Sequence, residues 1–337
     1  MKKTDAMTID SFESASMPAR KSFMGRFIKE QAIPIVVLAV MIVVGTLLTP
    51  SFLTSLNLQN LFIQQSSSMI ASFGMFIVIL SGGIDLSIGS VLAVSSVFSA
   101  AIINSTNNIL LAFAGAIGIC VILGLVNGII VAKFRIAPFI VTLGMMEFAR
   151  GIAYWFTNSS PISWKDAEAA DAFSFIGKGR ILGFIPTLSV IMIIFAIMVY
   201  LLMAKTFAGR IIYGIGGNEE AVKISGIDVM RWKILPYVLS AFCAAVAGIL
   251  LTARLGVGAP TNGEDLANDC IAAVVIGGTS FTGGKGTISG VIIGVFILGI
   301  INNLLDLLNV SSYPQMMLKG AIIVVAVVFS TIKENKQ

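Results

Sequence analysis

The sequence predicts an all-α polytopic membrane protein with about ten transmembrane segments (roughly 8–10) and glycine-rich broken helices. Three observations carry this. First, 57% of the 337 residues are hydrophobic and only 12% are charged, with a mean hydropathy of +0.96. That is about half the charged fraction of an average soluble domain. Second, unbroken apolar runs such as 33–49 recur over nearly the whole length, unlike the short alternating strands of a membrane barrel. Third, two runs are interrupted by glycines and small polar residues, Ser81-Gly82-Gly83-Ile84-Asp85-Leu86-Ser87 and the stretch from Gly277 to Gly286. Irregular backbone at membrane depth is costly unless it is buried in protein or lines a watery cavity. The two interruptions therefore point to a transport pathway.

In order, the apolar segments are 33–49, 61–80, 87–103, 110–132, 138–157, 185–204, 234–252, 270–282, 288–303 and 316–332. A straight span needs about 20 residues, so 270–282 reads as a half-helix or re-entrant piece. Basic residues then orient the chain. Lys2, Lys3, Arg20, Lys21, Arg26 and Lys29 precede the first segment, and Lys133, Arg135, Lys205, Arg210, Lys223, Arg231, Lys233, Lys285, Lys333 and Lys336 fall on the same side by alternation. The opposite loops 50–60, 104–109 and 304–315 carry no Lys or Arg, and the remaining ones are mixed, with Lys165, Lys178 and Arg180 offset by Asp166, Glu168 and Asp171, and Arg254 offset by Glu264 and Asp265. Positive-inside logic puts both termini in the cytoplasm. The chain thus divides into a cytoplasmic tail (1–32), a membrane-spanning body (33–332) and a short cytoplasmic tail (333–337). Within the body lie an outer loop (158–184) and a cytoplasmic loop (205–233).

Composition also excludes chemistry. With no histidine, histidine catalysis and most transition-metal sites are ruled out. Cys120, Cys243 and Cys270 are isolated and read as small packing residues. The net charge of +5 reflects loop bias rather than nucleic-acid binding. No catalytic, cofactor or metal residue is expected. The Gly283-Gly284-Lys285-Gly286-Thr287 run superficially suggests a phosphate loop, but its spacing fails and no soluble domain surrounds it. No nucleotide site is therefore expected in this chain.

The 205–233 loop is the most informative polar stretch. Asn218 is a good helix N-cap, Glu219 and Glu220 suit a first turn, and Gly226 suits a stop. The spacing predicts a short helix over Ala221–Ser225 that docks into a cleft on a cytoplasmic partner. Within the segments, Asp85 reads as a cap for a helix beginning at Leu86, through the amides of Ser87 and Ile88. Glu147 and Arg150, three apart, read as an intrahelical ion pair, and Lys319 and Asp306 as residues that reach the outer interface. Gly115, Gly118, Gly124, Gly290, Gly294 and Gly299 read as close-packing positions. A weak internal repeat is visible: each half holds a glycine break, a Gly-Φ-Φ-Asn run (Gly124–Asn127, Gly299–Asn302) and a basic residue followed by Gly.

The loop, with Gly209, Arg210, Tyr213, Gly217, Asn218, Glu219, Glu220, Ser225 and Gly226, resembles the ATPase-contacting loop of ribose-type sugar permeases of the ATP-binding-cassette importer superfamily. Collinear motifs extend the resemblance over roughly residues 35–330: Gly83–Ser90, Phe139–Gly144 followed by Arg150-Gly151, Ile271–Ser280, and Asn309–Tyr313. One departure stands before the second break, where Leu266-Ala267-Asn268-Asp269 retains only Asp269 of the family pattern. The resemblance implies a multi-pass subunit of a bacterial inner membrane that imports a monosaccharide, ribose or a related sugar. It also implies a cytoplasmic ATP-binding subunit, an extracytoplasmic sugar-binding protein and a second permease copy, within membrane lipid. A sugar pathway calls for small polar and amide groups, and the candidates are Asn57, Gln64, Gln65, Ser66, Ser67, Ser68, Asp85, Asn127 and Asn302. For Gln64–Ser68, hydrogen bonding between helices is an equal reading. Two rivals are a branched-chain amino acid permease and a self-sufficient ion-coupled transporter, the latter with only Asp85 and Glu147 as titratable groups.

Overall fold

The computed structural model describes residues 23–164 and 168–334. Residues 1–22, 165–167 and 335–337, which hold most of the tail, Lys165, Asp166 and Lys336, lie outside the described residues. Among the described residues twelve helices run in order as α1 (Phe23–Leu48), α2 (Ser55–Leu80), α3 (Ile88–Thr106), α4 (Ile109–Phe134), α5 (Pro138–Thr157), α6 (Glu168–Lys178), α7 (Thr187–Lys205), α8 (Phe207–Ile224), α9 (Val229–Leu255), α10 (Leu266–Ile276), α11 (Ile288–Leu307) and α12 (Ser312–Glu334). Each apolar segment read from the sequence overlaps one helix, but 270–282 is helical only as far as Ile276. Seven described helices are long and apolar enough to cross a membrane: α1 from Gln31, α2, α3, α4, α7, α9 and α11. Glu147 and Arg150 lower the hydropathy of α5, and α10 is only 11 residues long.

Burial sorts the helices into layers. Central α9 packs on α2, α3 and α4, and α10 and α11 close the other side of α2. From Met69 to Leu80 every residue of α2 is buried. Peripheral α1, α4 and α7 expose long apolar side chains such as Val36, Leu47, Leu110, Ile122 and Ile194, which is stable only against lipid. Small hydroxyls join the α3–α9 seam: Ser95 donates to the Ala245 carbonyl at 2.6 Å, and Ser96 and Thr252 share a 2.5 Å hydrogen bond. The three cysteines are buried and unbridged.

Two stretches read as loops contain helices. The 158–184 loop holds α6, whose Phe173 packs against Trp164 and Phe113. The 205–233 loop is helical from Phe207, not only over Ala221–Ser225. Near the far end from α8, the two-residue strands β1 (Ile162–Ser163) and β2 (Val257–Gly258) pair antiparallel. From there segment 256–265 dips back along α3, so that Gly263 meets Gly89 near the start of that helix. The two Gly-Φ-Φ-Asn runs fall on α4 and α11, at unequal distances from their breaks.

Candidate functional site

Three glycine-rich segments meet at the α8 end of the bundle. The first break, 81–87, follows α2; the second, 277–287, joins α10 to α11; the third is Gly216-Gly217 in α8. The Gly284 amide donates to the Leu80 carbonyl at 2.9 Å, and the Tyr213 hydroxyl donates to the Gly286 carbonyl at 2.9 Å. Gly283 and Gly284 adopt φ of +94° and +72°, open to glycine at little cost. A methyl group on Gly284 would lie 2.6 Å from the Gly217 Cα, and one on Gly216 would overlap the Leu80 carbonyl. The two breaks thus touch each other and the loop helix through bare backbone. At Gly277, Gly283, Gly284 and Gly286 of the second break the space is filled by neighbouring chain, a packing role rather than a phosphate cradle, whereas Gly278 is open.

Beyond the junction α8 kinks. Asn218 is extended (φ −162°, ψ 97°), and its Oδ1 accepts from the Ala221 amide at 3.0 Å, the cap expected from the sequence. Gly226, at φ +81°, turns the chain after Ile224. The kink splits the candidate coupling residues. Gly209 and Tyr213 face inward, Gly209 against Met203. Arg210, Gly217, Asn218, Glu219, Glu220, Ser225 and Gly226 are exposed. Glu219 pairs with Lys233 at 2.7 Å, and Glu220 lies 3.9 Å from Lys223. Ile224, which the sequence reading passed over, is 84% exposed on this charged tip.

Behind the first break lies a buried polar group. Asp85 Oδ1 accepts from the Ser87 amide (3.0 Å) and hydroxyl (2.5 Å), and Oδ2 accepts from Ser240 at 2.7 Å. Asn127 donates to the Ser87 hydroxyl at 3.0 Å. All four side chains are at most 2% exposed. Asp85 therefore caps the turn and ties α4 and α9 to it. Helix α3 starts at Ile88, not Leu86, and the Ser87 amide alone is capped.

The remaining pathway candidates lie elsewhere. Gln64 is about 24 Å from Leu80 along α2. Gln65 packs on Gly299 of α11, which favours interhelical contact for this residue, whereas Gln64 is exposed and Ser68 half-buried. Asn302 is half-buried with an unpartnered Oδ1. The amide beside it, Asn303, exchanges hydrogen bonds of 2.9 and 2.8 Å with Asn57. Gly290 packs on Gly277 and Gly294 on Ala273, whereas Gly118 faces open space.

Two expected charge placements are corrected. Arg150 does not pair with Glu147; its Nη1 donates to the carbonyls of Pro260 and Asn262, the latter at 2.9 Å. Preformed carbonyls on the dipping segment outcompete an exposed carboxylate one turn away. Lys319 does not reach outward but pairs with Asp269 of α10 at 3.2 Å, while Asp306 accepts from Gln315. Above Ser90, residues Glu147, Arg150, Tyr154 and Glu264 wall a cavity of about 290 Å³.

Residues 57–327 match the family described as branched-chain amino acid transport system, permease component. The ribose import permease of Escherichia coli K12 is 43% identical over 319 residues, covering 95% of this chain and 99% of that protein. The ribose import permease of Bacillus subtilis is 42% identical, covering 87% and 90%. The L-arabinose ABC transporter permease of Azospirillum brasilense is 34% identical, covering 98% and 96%. No solved structure matches.

Proposed function

Because the chain belongs to this family of importer permease components, a transporter subunit rather than an enzyme, we propose that it is the membrane subunit of an ATP-driven importer of ribose or a related monosaccharide. The observation that carries the substrate class is the identity of 34–43% to permeases named for ribose and L-arabinose, along nearly the whole chain. The family description keeps branched-chain amino acids as the second reading.

The protein is multi-pass, in the inner membrane of a bacterium. Ten segments, with α10 as a half-span and both termini cytoplasmic, fit the helix order and the basic-residue pattern. A binding protein outside, an ATPase beneath α8 and a second permease copy complete the proposed assembly. ATP-driven movement of the ATPases would push the exposed tip, Asn218–Gly226. Because the buried half of α8 lies on both breaks, that push reaches α2 and α11 together and alternates access by rocking the spans. Docking at the tip is supported by the protruding Ile224 beside Glu219 and Glu220.

Proteoliposomes holding the permease, its ATPase and the binding protein test the reading. Labelled ribose is expected to accumulate only with internal ATP at the ATPase face. Accumulation on a proton gradient by the permease alone would overturn it.

A further inference from the structure

Helix α5 is about 30 Å long, the thickness of a hydrocarbon core, and Glu147 and Arg150 sit near its middle. A charge there is expensive unless it faces a partner or water. Arg150 has partners in the Pro260 and Asn262 carbonyls. Glu147 is exposed and, among the described residues, forms no ion pair. One turn beyond Arg150, Tyr154 donates to Glu264 Oε1 at 3.1 Å. Across the space, Ser90 near the start of α3 is 1% exposed, and its hydroxyl has no hydrogen-bond partner. These side chains wall a cavity of about 290 Å³, at the small end of ligand pockets of roughly 300–1,000 Å³.

We infer that this cavity is a transient monosaccharide subsite within the membrane, with Glu147 and Ser90 as its contacts to sugar hydroxyls. The inference rests on the sugar-import reading above. Arg150, held by the dipping segment, and the Tyr154–Glu264 pair are positioning residues that keep the cavity open beside Glu147. The chemistry suits a neutral polyol. A carboxylate with free lone pairs accepts from two adjacent hydroxyls, and a serine hydroxyl donates to or accepts from a third. The Arg150 Nη1 and the Glu264 Oε1 already have protein partners, which leaves the Glu147 carboxylate and the Ser90 hydroxyl as the groups for a ligand.

The complete importer, reconstituted with its ATPase and binding protein, is assayed with labelled ribose, 2-deoxyribose and leucine. Wild-type complex is expected to import ribose and to discriminate against 2-deoxyribose. Glu147→Gln is expected to lower ribose uptake about tenfold and to narrow that discrimination, which a purely structural role would not do. Ser90→Ala removes an unpartnered hydroxyl, so it is expected to fold normally and to lower uptake about threefold. If wild-type complex imports ribose and both variants keep its rate and discrimination, the subsite alone falls. If wild-type complex imports leucine or nothing in place of ribose, the sugar reading falls and takes the subsite with it.

Discussion

The inner junction and the α5 cavity are both polar interruptions of an apolar bundle, yet they are built in opposite ways. At the junction three glycine segments are in backbone contact, and Asp85, Ser87, Asn127 and Ser240 are sealed behind it with hydrogen bonds to one another. Around the cavity, Glu147 is exposed and the Ser90 hydroxyl is unpartnered. Irregular backbone in a membrane bundle therefore has two separate uses. A closely packed junction, in which the Asp85 carboxylate is satisfied while Asn127 Oδ1 is not, suits the proposed transmission of force, and an exposed, partly satisfied cavity suits the proposed passage of polar cargo. In this chain the glycines mark the first kind, and charges stranded in mid-helix mark the second.

Substitutions can break or sharpen that contrast. The largest effect is expected at Asp85. Asp85→Ala leaves the Ser87 amide, the Ser87 hydroxyl and the Ser240 hydroxyl without their acceptor, at about 1–3 kcal/mol for each group that finds no substitute. Thermal unfolding in detergent should show a loss of several degrees or failure to accumulate, and unchanged stability would mean the network is not sealed. Next, Gly216→Val forces a side chain into the Leu80 carbonyl, an overpacking cost of about 1–3 kcal/mol. ATP-driven uptake should fall roughly tenfold while membrane insertion persists, and normal uptake would remove the junction from the coupling route. Tyr213→Phe deletes the hydrogen bond to Gly286, worth about 1 kcal/mol. It should loosen coupling, seen as ATP hydrolysed per ribose imported, without abolishing transport. The smallest change in the permease's own stability, under about 1 kcal/mol, is expected from Glu219→Ala with Glu220→Ala, because their ion pairs are exposed. Their effect should appear instead as weaker co-purification of the ATPase, and unchanged co-purification would count against docking there.

How far the sequence reaches differs by region for physical reasons. Helix α5 was legible to the residue, because Pro138 sets its start and Asn158, in the left-handed conformation, ends it. The Asn218 cap and the Gly226 turn were legible because capping chemistry is local. Phe207–Gly217 was not. Its Gly209, Gly214, Gly216 and Gly217 are poor helix formers, and packing on the breaks overrides that preference. The missed α6 left a clue in its length, since 27 residues without structure are unusual in a compact bundle. Arg150 and Lys319 were misassigned because their partners are 110 and 50 residues away. Spacing along one helix reports only neighbours on that helix. The convergence of both breaks on α8 was equally invisible, being a property of how separate segments pack.

The burial of Cys120, Cys243 and Cys270, at 0%, 2% and 0% exposure, has a practical consequence. A water-soluble maleimide should leave the natural chain almost unlabelled, so the native sequence already serves as a silent background for site-directed probes. A single cysteine introduced at Ile224 or Glu147 would report on its own surroundings without prior removal of the others, and its reactivity could be followed as ATP turns over.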